Sequence, residues 1–236
     1  ETVLTPAHGV AITSATLRDN QLPDKDIEEE AWHSARLISG ASHLPHPALV
    51  SAHQSPFDYA RQARIFVVND IARERPQTVA VAMAELMKAS NGGALGLFTS
   101  IQRLKNTYPE LEKRLQAAGI PLLAQHLDAM SLQTLLQLFR EDKTSCLIGT
   151  DAVRDGVDVP GDALQMIIYD RVPWPRPDML FKARAKWQGR DSWTDRMTRM
   201  RLRQAFGRLI RRSDDKGVFV MLDSRLPTRL TSALPP

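Results

Sequence analysis

Cysteine is almost absent from this chain, and its scarcity narrows the kinds of site that the sequence can build. The single cysteine among 236 residues, Cys146, stands in the apolar run "SCLIG". One thiol excludes an internal disulfide and a cysteine-based metal cluster. Cys146 is therefore expected to be a small buried hydrophobic residue, and we expect no metal-ligating set within the chain.

Long apolar runs are missing as well. No stretch approaches the roughly 18 apolar residues that a membrane-spanning helix needs, and no signal peptide opens the chain. We therefore expect a cytoplasmic protein without a membrane partner. No glycine is followed by lysine, which excludes the G-x-x-x-x-G-K-[ST] loop that cradles nucleotide phosphates.

Positive charge, in contrast, is plentiful near the carboxyl end. The net charge of the whole chain is +4, yet residues 184–212 alone hold ten Lys or Arg against two Asp, a local net charge of +8. Such a block suits a polyanionic partner, either nucleic acid or nucleotide phosphates. Charge alone does not separate this interpretation from a basic helix face that is simply solvated.

Short apolar runs alternate with helical patterns along the chain. Continuous apolar character predicts strands that are covered on both faces, at 9–13, 64–68, 94–98, 145–149, 164–169 and 217–222. Helical periodicity predicts helices at 27–39, 77–90, 101–119, 131–142 and 191–212. This alternation predicts an α/β fold with a mainly parallel sheet and functional loops at the carboxyl ends of its strands. The polar, proline-containing segment 17–50 indicates a domain boundary.

The run "QAFGRLIRR" at 204–212 places anion-binding groups together. On a helix over 191–212, Gln204, Arg208 and Arg211 share one face, whereas Arg212 points about 80° away and is expected to face the surface or DNA. Arginine binds phosphate oxygens in a planar, bidentate manner. Glycine within a helix costs about 1 kcal/mol, so Gly207 favours a site over an ordinary arginine-rich surface helix, although that alternative stays open.

A second run, "IGTDAVRDGVDVPG" at 148–161, is a strand end followed by a loop rich in glycine and acids. An EF-hand calcium loop is excluded because Val153 stands where an oxygen ligand is required. A plain structural turn remains the alternative. Functional groups in such sheets stand in the loops that follow strands, so this segment is a candidate for a site.

Two shorter motifs place hydroxyl groups directly after apolar runs. In "GALGLFTS", Thr99 and Ser100 open a predicted helix, where hydroxyls and backbone amides contact phosphate, although the motif alone favours Ser100 as a simple N-cap. In "AITSATL", Ser14 and Thr16 follow the first apolar run. Neither motif identifies a function by itself.

Together these motifs resemble those of the superfamily 2 helicases, in the DinG-like and XPD-like branch. Q-x-x-G-R-x-x-R at 204–211 is similar to motif VI, and "GVDVPG" at 156–161 is similar to motif V. "GLFTS" at 96–100 and Ser-Ala-Thr at 14–16 look like motifs IV and III, and the order is that of the family. The chain departs from the branch at 153–155, where Val-Arg-Asp replaces an aromatic residue and Trp-Glu.

The resemblance implies a RecA-like, P-loop NTPase-type sheet with helices on both faces. Residues 1–48 would be the end of a first motor domain with its connector, and 49–236 the second motor domain. The site residues that it implies fall into four roles. The catalytic arginine fingers would be Arg208 and Arg211. The residues that bind nucleotide would be Gln204, Gly207, Gly156 and Asp158, and those that bind DNA would be Thr99, Ser100, Thr150 and Arg154. The residues that couple the two motor domains would be Ser14 and Thr16.

The resemblance also implies partners. ATP and Mg²⁺ would be bound chiefly by a first motor domain upstream of Ser14, since the sequence contains neither the phosphate loop nor an Asp-Glu-x-His box. Single-stranded or forked DNA and that motor domain would be the partners, and an iron–sulfur cluster would lie outside the chain. A nucleic-acid-binding module that hydrolyses nothing and a superfamily 2 RNA helicase remain the alternatives.

An ATP site that is divided between two motor domains leads to a direct prediction. The 236-residue chain by itself should hydrolyse no ATP, because the phosphate loop is lacking. Phosphate release from the purified chain, measured with and without single-stranded DNA, checks this. Turnover that persists through purification would contradict the split-site interpretation.

Overall fold

The chain divides into two units, Glu1–Pro56 and Phe57–Pro236, which are described separately here. The computed structural model describes residues 6–19, 28–72, 74–156, 158–159 and 161–235. Val157 and Pro160 of the "GVDVPG" run lie outside these residues. The assignment of 1–48 to another motor domain remains a prediction.

The first unit contains helix α1, Glu28–Ser39, as the sequence predicts. A short 3₁₀ helix, Ala41–His43, follows it. The strand predicted at 9–13 is wrong, since residues 6–19 contain no strand, and Val10 and Ile12 are 54% and 50% exposed. A strand needs a neighbour for its hydrogen bonds, and the described part of the first unit contains no other strand.

The second unit is built on a parallel sheet. Its described strands are β1 Ala63–Val67, β2 Ala94–Leu97, β3 Leu122–Ala124, β4 Cys146–Gly149, β5 Met166–Tyr169 and β6 Gly217–Met221. They lie side by side in the order β1-β6-β5-β2-β4-β3, and each pair is parallel. Five of them confirm predicted strands. The edge strand β3 escaped prediction because it has only three residues and is partly exposed.

Helices connect the strands. They are α2 Tyr59–Gln62, α3 Pro76–Ala89, α4 Ile101–Gln116, α5 Leu132–Glu141, α6 Asp151–Gly156, α7 Met179–Gln188, α8 Arg190–Leu209 and α9 Thr228–Thr231. The predictions of α3, α4, α5 and α8 are confirmed to within a few residues. The prediction of a loop directly after Gly149 is wrong, because α6 begins at Asp151. None of the described helices has the length and apolar character needed to cross a membrane.

Alternating side chains on the strands build a core on each face of the sheet. On β5, Met166 and Ile168 belong to the core beneath α3 and α4, whereas Ile167 and Tyr169 belong to the core beneath α5, α6 and α8. The predicted arrangement of helices on both faces is therefore confirmed. Since parallel strands end at one edge, β2, β4 and β5 bring the residues that follow them to a common edge.

The thiol of Cys146 lies inside this sheet and should be chemically inert. Its side chain is fully buried, as predicted, and burial raises its pKa to about 12. A disulfide-exchange reagent at pH 8 should therefore label the folded chain far more slowly than the unfolded chain, since the thiolate is the reacting species. Labelling of the native chain at the rate of a free thiol would show that β4 is open to solvent.

Candidate functional site

The amino-acid pattern of α8 fixes which of its sides faces the sheet. Phe206 packs against the rings of Tyr59 and Phe219, at centroid distances of 5.4 and 6.2 Å, and Leu202 and Leu209 are buried. The apolar residues of this run therefore face inward. The opposite side of α8 faces the segment that follows β4.

The helix ends earlier than the sequence pattern indicates. Ile210 is already extended, with φ −119° and ψ 113°, so Arg211 lies beyond α8 and the helical-wheel position predicted for it is wrong. The cause is Asp215, whose buried carboxylate accepts the backbone N–H groups of Arg211 and Arg212, both at 2.8 Å. The side-chain amide of Gln62 donates to the carbonyl of Arg212 at 2.8 Å and closes the same turn.

Both predicted arginines nevertheless reach the same segment. Arg208 Nη2 donates to the carbonyl of Asp155 at 2.9 Å, and the Arg211 guanidinium forms an ion pair with the carboxylate of Asp158. Arg140 on α5 donates to the Asp158 carbonyl at 2.5 Å. The structure thus brings together the residues predicted from 204–211 and from 156–158, although they are distant in sequence.

The two glycines of this region stand in different surroundings. Gly207 is exposed, and a Cβ built on it would meet none of the described residues within 4 Å, so no contact among those residues explains a glycine in the middle of α8. Gly156 has a packing reason, because a Cβ there would lie 3.2 Å from Leu136 Cδ1. Gln204 lies one turn before Arg208 and is half-buried.

Opposing influences act on the pKa of the Arg211 guanidinium. Burial lowers the pKa of Arg211, the Asp215 carboxylate opposes this effect, and Arg140 lowers the pKa further. An arginine still keeps its charge at neutral pH. Its carboxylate partner Asp158 is mostly exposed, so a more highly charged group could replace it.

Gly149 explains how α6 approaches the sheet. A Cβ on Gly149 would lie 2.1 Å from Val153 Cγ2 and 2.9 Å from the side-chain oxygen of Gln125. Only a residue without a side chain therefore lets α6 turn back directly over the end of β4. This close approach sets the position of Thr150 and of everything that follows it up to Asp158.

Thr150 belongs to a polar cluster at the ends of β3 and β4. Its backbone N–H and its hydroxyl both donate to Gln125 Oε1, at 2.9 and 3.1 Å, and His126 Nε2 lies 3.3 Å from its Oγ1. His126 is exposed and has a positive φ of 73°, which is uncommon for a residue other than glycine. Sequence reasoning missed Gln125 and His126, because β3 was too short to be recognised.

Thr99 and Ser100 lie at the end of β2, as predicted. Ser100 caps α4, its Oγ accepting the N–H of Arg103 at 3.3 Å, so the N-cap interpretation is confirmed. The N–H of Thr99 donates to the buried carboxylate of Asp170 at 2.9 Å, and Arg103 forms an ion pair with the same carboxylate. Burial raises the pKa of Asp170, and Arg103 opposes that shift.

Arg154 does not lie on the surface, where a residue that contacts DNA is expected. Its side chain is only 6% exposed and bonds to the carboxylates of Asp151 at 2.8 Å and Asp155 at 2.9 Å. Burial alone would lower the pKa of Arg154, but its hydrogen bond to Asp155 and the nearby carboxylates raise it. In this conformation Arg154 holds the two ends of α6 together.

The coupling residues Ser14 and Thr16 belong to the first unit. Ser14 Oγ lies 3.1 Å from Thr16 Oγ1 and accepts the backbone N–H of Thr16 at 3.2 Å. These contacts form a local turn, and the coupling role remains a prediction. Among the described residues, no group of three or more His, Cys, Asp or Glu is arranged to hold a metal ion.

The basic block at 184–212 is not simply a solvated face. Of its ten Lys and Arg, only Lys186, Arg190 and Arg212 are exposed. Arg201 is typical of the others, since it donates to the carbonyl of Trp174 at 2.9 Å and lies 3.7 Å from the Asp151 carboxylate. Much of this positive charge therefore connects α8 to the loops around it.

This parallel sheet, with helices on both faces and the arginines of 208–211 beside the segment 155–158, is a RecA-like fold. The chain belongs to the helicase C-terminal domain family, whose model matches residues 83–235. It is a C-terminal domain of the DinG-like and XPD-like type within superfamily 2, as the sequence motifs predicted.

Particular relatives support this assignment. The chain is 34% identical over 201 residues to the ATP-dependent helicase DinG of Mycobacterium tuberculosis, covering 77% of this chain and 29% of the relative. It is 33% identical over 202 residues to the ATP-dependent DNA helicase YoaA of Escherichia coli, covering 77% and 30%. A solved XPD helicase shares the fold with a TM-score of 0.59 at 15% identity, covering 91% of this chain and 40% of that one.

The close approach at Gly149 can be tested by a double-mutant cycle. Gly149→Ala should destabilise the chain by about 1–3 kcal/mol, because the added methyl group overlaps Val153. Val153→Ala should also lower stability by itself, because Val153 is buried, but the loss of the double variant should fall short of the sum of the two single losses by at least about 0.5 kcal/mol in urea unfolding. Strictly additive losses would mean that α6 does not rest on Gly149.

Proposed function

We propose that this chain is the second motor domain of an ATP-dependent DNA helicase. Its role would be to complete, from across a cleft, the site of an ATP that is held by a first motor domain. The chain spans about 30% of the length of the curated relatives described above, so the activity belongs to the larger protein. The curated relatives are named as ATP-dependent helicases, which supports the assignment of a motor.

The observation that carries the proposal is the convergence of Arg208 and Arg211 on the segment 155–158. An arginine that stabilises a transferring phosphoryl group must be held near its working position before the phosphate arrives. The carbonyl of Asp155 and the carboxylate of Asp158 hold the two guanidiniums in this way. The exposed Gly207 between them leaves room for a group from outside the chain to approach α8.

Nucleotide sensing follows from the same contacts. Asp158 is the present counter-ion of Arg211, so a terminal phosphate that draws Arg211 away would release the segment containing Gly156 and Asp158. Gln204, one turn before Arg208, lies where its amide would sense the same group. Because Arg140 on α5 also binds this segment, the change would reach α5 and the core beneath α5, α6 and α8.

Contacts with the DNA backbone are assigned to the ends of β2 and β4. Thr99 and Ser100 stand at the start of α4, and Thr150 stands beside the exposed His126. Hydroxyls and backbone amides of this kind contact phosphates without reading sequence. The burial of Arg154 suits a supporting role, in which it would hold α6 and so position Thr150.

Among the described residues of the second unit, no three His, Cys, Asp or Glu side chains are grouped to hold a metal ion. In phosphoryl transfer a bound Mg²⁺ neutralises charge on the phosphates. We assign that ion, and the loop that cradles the phosphates, to the first motor domain. The contribution of this chain is the pair of arginines and the segment that holds them.

An RNA helicase is the second candidate, since motif VI of this form is shared widely within superfamily 2. The curated relative from Escherichia coli is named as a DNA helicase, which favours DNA. Stimulation of the ATPase of the larger protein by single-stranded DNA, but not by RNA of the same length, is the expected result. Greater stimulation by RNA would favour the alternative. A binding module that hydrolyses nothing would show no stimulation by either.

The finger assignment predicts a specific loss of catalysis. In the protein that includes the nucleotide-binding half, Arg208→Ala or Arg211→Ala should lower ATP turnover by about 10³-fold or more, because charge on the transferring group loses its counter-charge. Binding of single-stranded DNA should stay within a few-fold of the unchanged protein. Turnover and DNA affinity are measured side by side.

Arg212→Ala is the matched control, because this neighbouring arginine is exposed and is expected to face away from the nucleotide. Its turnover should resemble that of the unchanged protein. If Arg208→Ala and Arg211→Ala hydrolyse ATP as fast as Arg212→Ala does, neither residue acts as a finger.

A further inference from the structure

Helix α7 carries an apolar surface that no part of the proposed motor site uses. Met179, Leu180 and Trp187 on this helix are 88%, 59% and 68% exposed. Met179, Ala183 and Trp187 follow one another at intervals of four residues, so they form one stripe along the helix, with Leu180 beside it. Exposed apolar surface of this extent on one helix usually marks a binding site.

The charges around the stripe indicate the kind of partner. Lys182 and Lys186 are exposed and border the stripe, and α7, with the sequence "MLFKARAKWQ", contains no acidic residue. A protein partner would need an apolar surface edged with acids. A single nucleic-acid strand offers both features at once, since its bases are flat and apolar and its phosphates are negative.

The helix is held firmly enough to act as a platform. Asp178 caps its first turn, accepting the N–H of Phe181 at 2.7 Å, and Ala185 is buried beneath it. The guanidinium of Arg184 lies 5.8 Å from the ring centre of Trp193 on α8. The inward side of α7 is thus occupied by packing, and the stripe faces outward as a fixed surface.

We propose that this outward face of α7 binds single-stranded nucleic acid, with a base stacked on Trp187 and phosphates bound by Lys182 and Lys186. The proposal rests on the proposed function only in taking nucleic acid as the substrate. It adds a base-contacting surface to the backbone-contacting ends of β2 and β4. Stacking on one aromatic ring tolerates any base, so the surface would not read sequence.

The test compares two oligonucleotides of equal length, a labelled oligo(dT) and one with abasic sugars in place of the thymidines. The unchanged 236-residue chain should bind oligo(dT) about tenfold more tightly, because only a base can stack. Trp187→Ala should remove most of that preference, whereas Trp187→Phe should keep much of it. Trp187 is largely exposed, so neither change should unfold the chain.

The lysines should affect both oligonucleotides equally. Lys182→Ala with Lys186→Ala should lower the slope of log affinity against log salt concentration by about 1.4, as expected for two lost phosphate contacts on a single strand. Lys113→Ala with Lys216→Ala removes two exposed lysines elsewhere and is the matched control. That control pair should leave the slope unchanged.

Equal binding of the two oligonucleotides by the unchanged chain, or a preference that survives Trp187→Ala, would overturn the proposal and leave the stripe as a protein contact. The assay contains no ATP, so its outcome does not depend on Arg208 or Arg211. If Trp187→Ala loses the oligo(dT) preference while Arg208→Ala in the larger protein keeps normal turnover, the nucleotide role is rejected and the α7 surface is retained.

Discussion

The contact between the end of α8 and the segment 155–158 is the constraint on which the account of this domain depends. Two guanidiniums, from Arg208 and Arg211, bind one carbonyl and one carboxylate of that segment. The Asp158 carboxylate is mostly exposed, so solvent screens its ion pair with Arg211 and each such contact contributes about 1 kcal/mol or less. The segment is fixed by the same cations that would later meet phosphate, and this links its position to the nucleotide.

The fold makes that contact possible through close approaches of the backbone. Gly149 allows α6 to turn back over β4, and the Asp215 carboxylate ends α8 so that Arg211 leaves the helix and reaches Asp158. Phe206 fixes the rotation of α8 by packing between Tyr59 and Phe219. Each of these contacts is local, yet together they bring residues more than fifty positions apart into one site.

Periodicity was enough to predict the sheet, the long helices and the burial of Cys146, because these depend on apolar pattern alone. It could not predict the end of α8, since a buried carboxylate four residues beyond Arg211 decides it. It missed β3 and α6, which are too short for a pattern, and with them the cluster of Gln125, His126 and Thr150. The strand predicted at 9–13 failed because an apolar run makes a strand only beside a partner.

The candidate site, like the fold, could be predicted only in part. The resemblance assigned Arg208, Arg211 and Asp158 to one nucleotide but predicted no contact between them, and the structure shows that both arginines bind the segment 155–158. The burial of Arg154 between two carboxylates could not be predicted from its position. Helix α7, Met179–Gln188, was not predicted, and the apolar stripe on its exposed side was therefore not predicted either.

The most direct measurement is a structure of the larger protein, with its nucleotide-binding motor domain, bound to ADP and a planar analogue of the γ-phosphate. Guanidinium nitrogens of Arg208 and Arg211 should lie about 2.7–3.2 Å from the acceptor atoms of the analogue, with the Asp158 carboxylate released. Both arginines still bound to Asp155 and Asp158, with the analogue contacted by the other domain alone, would contradict it.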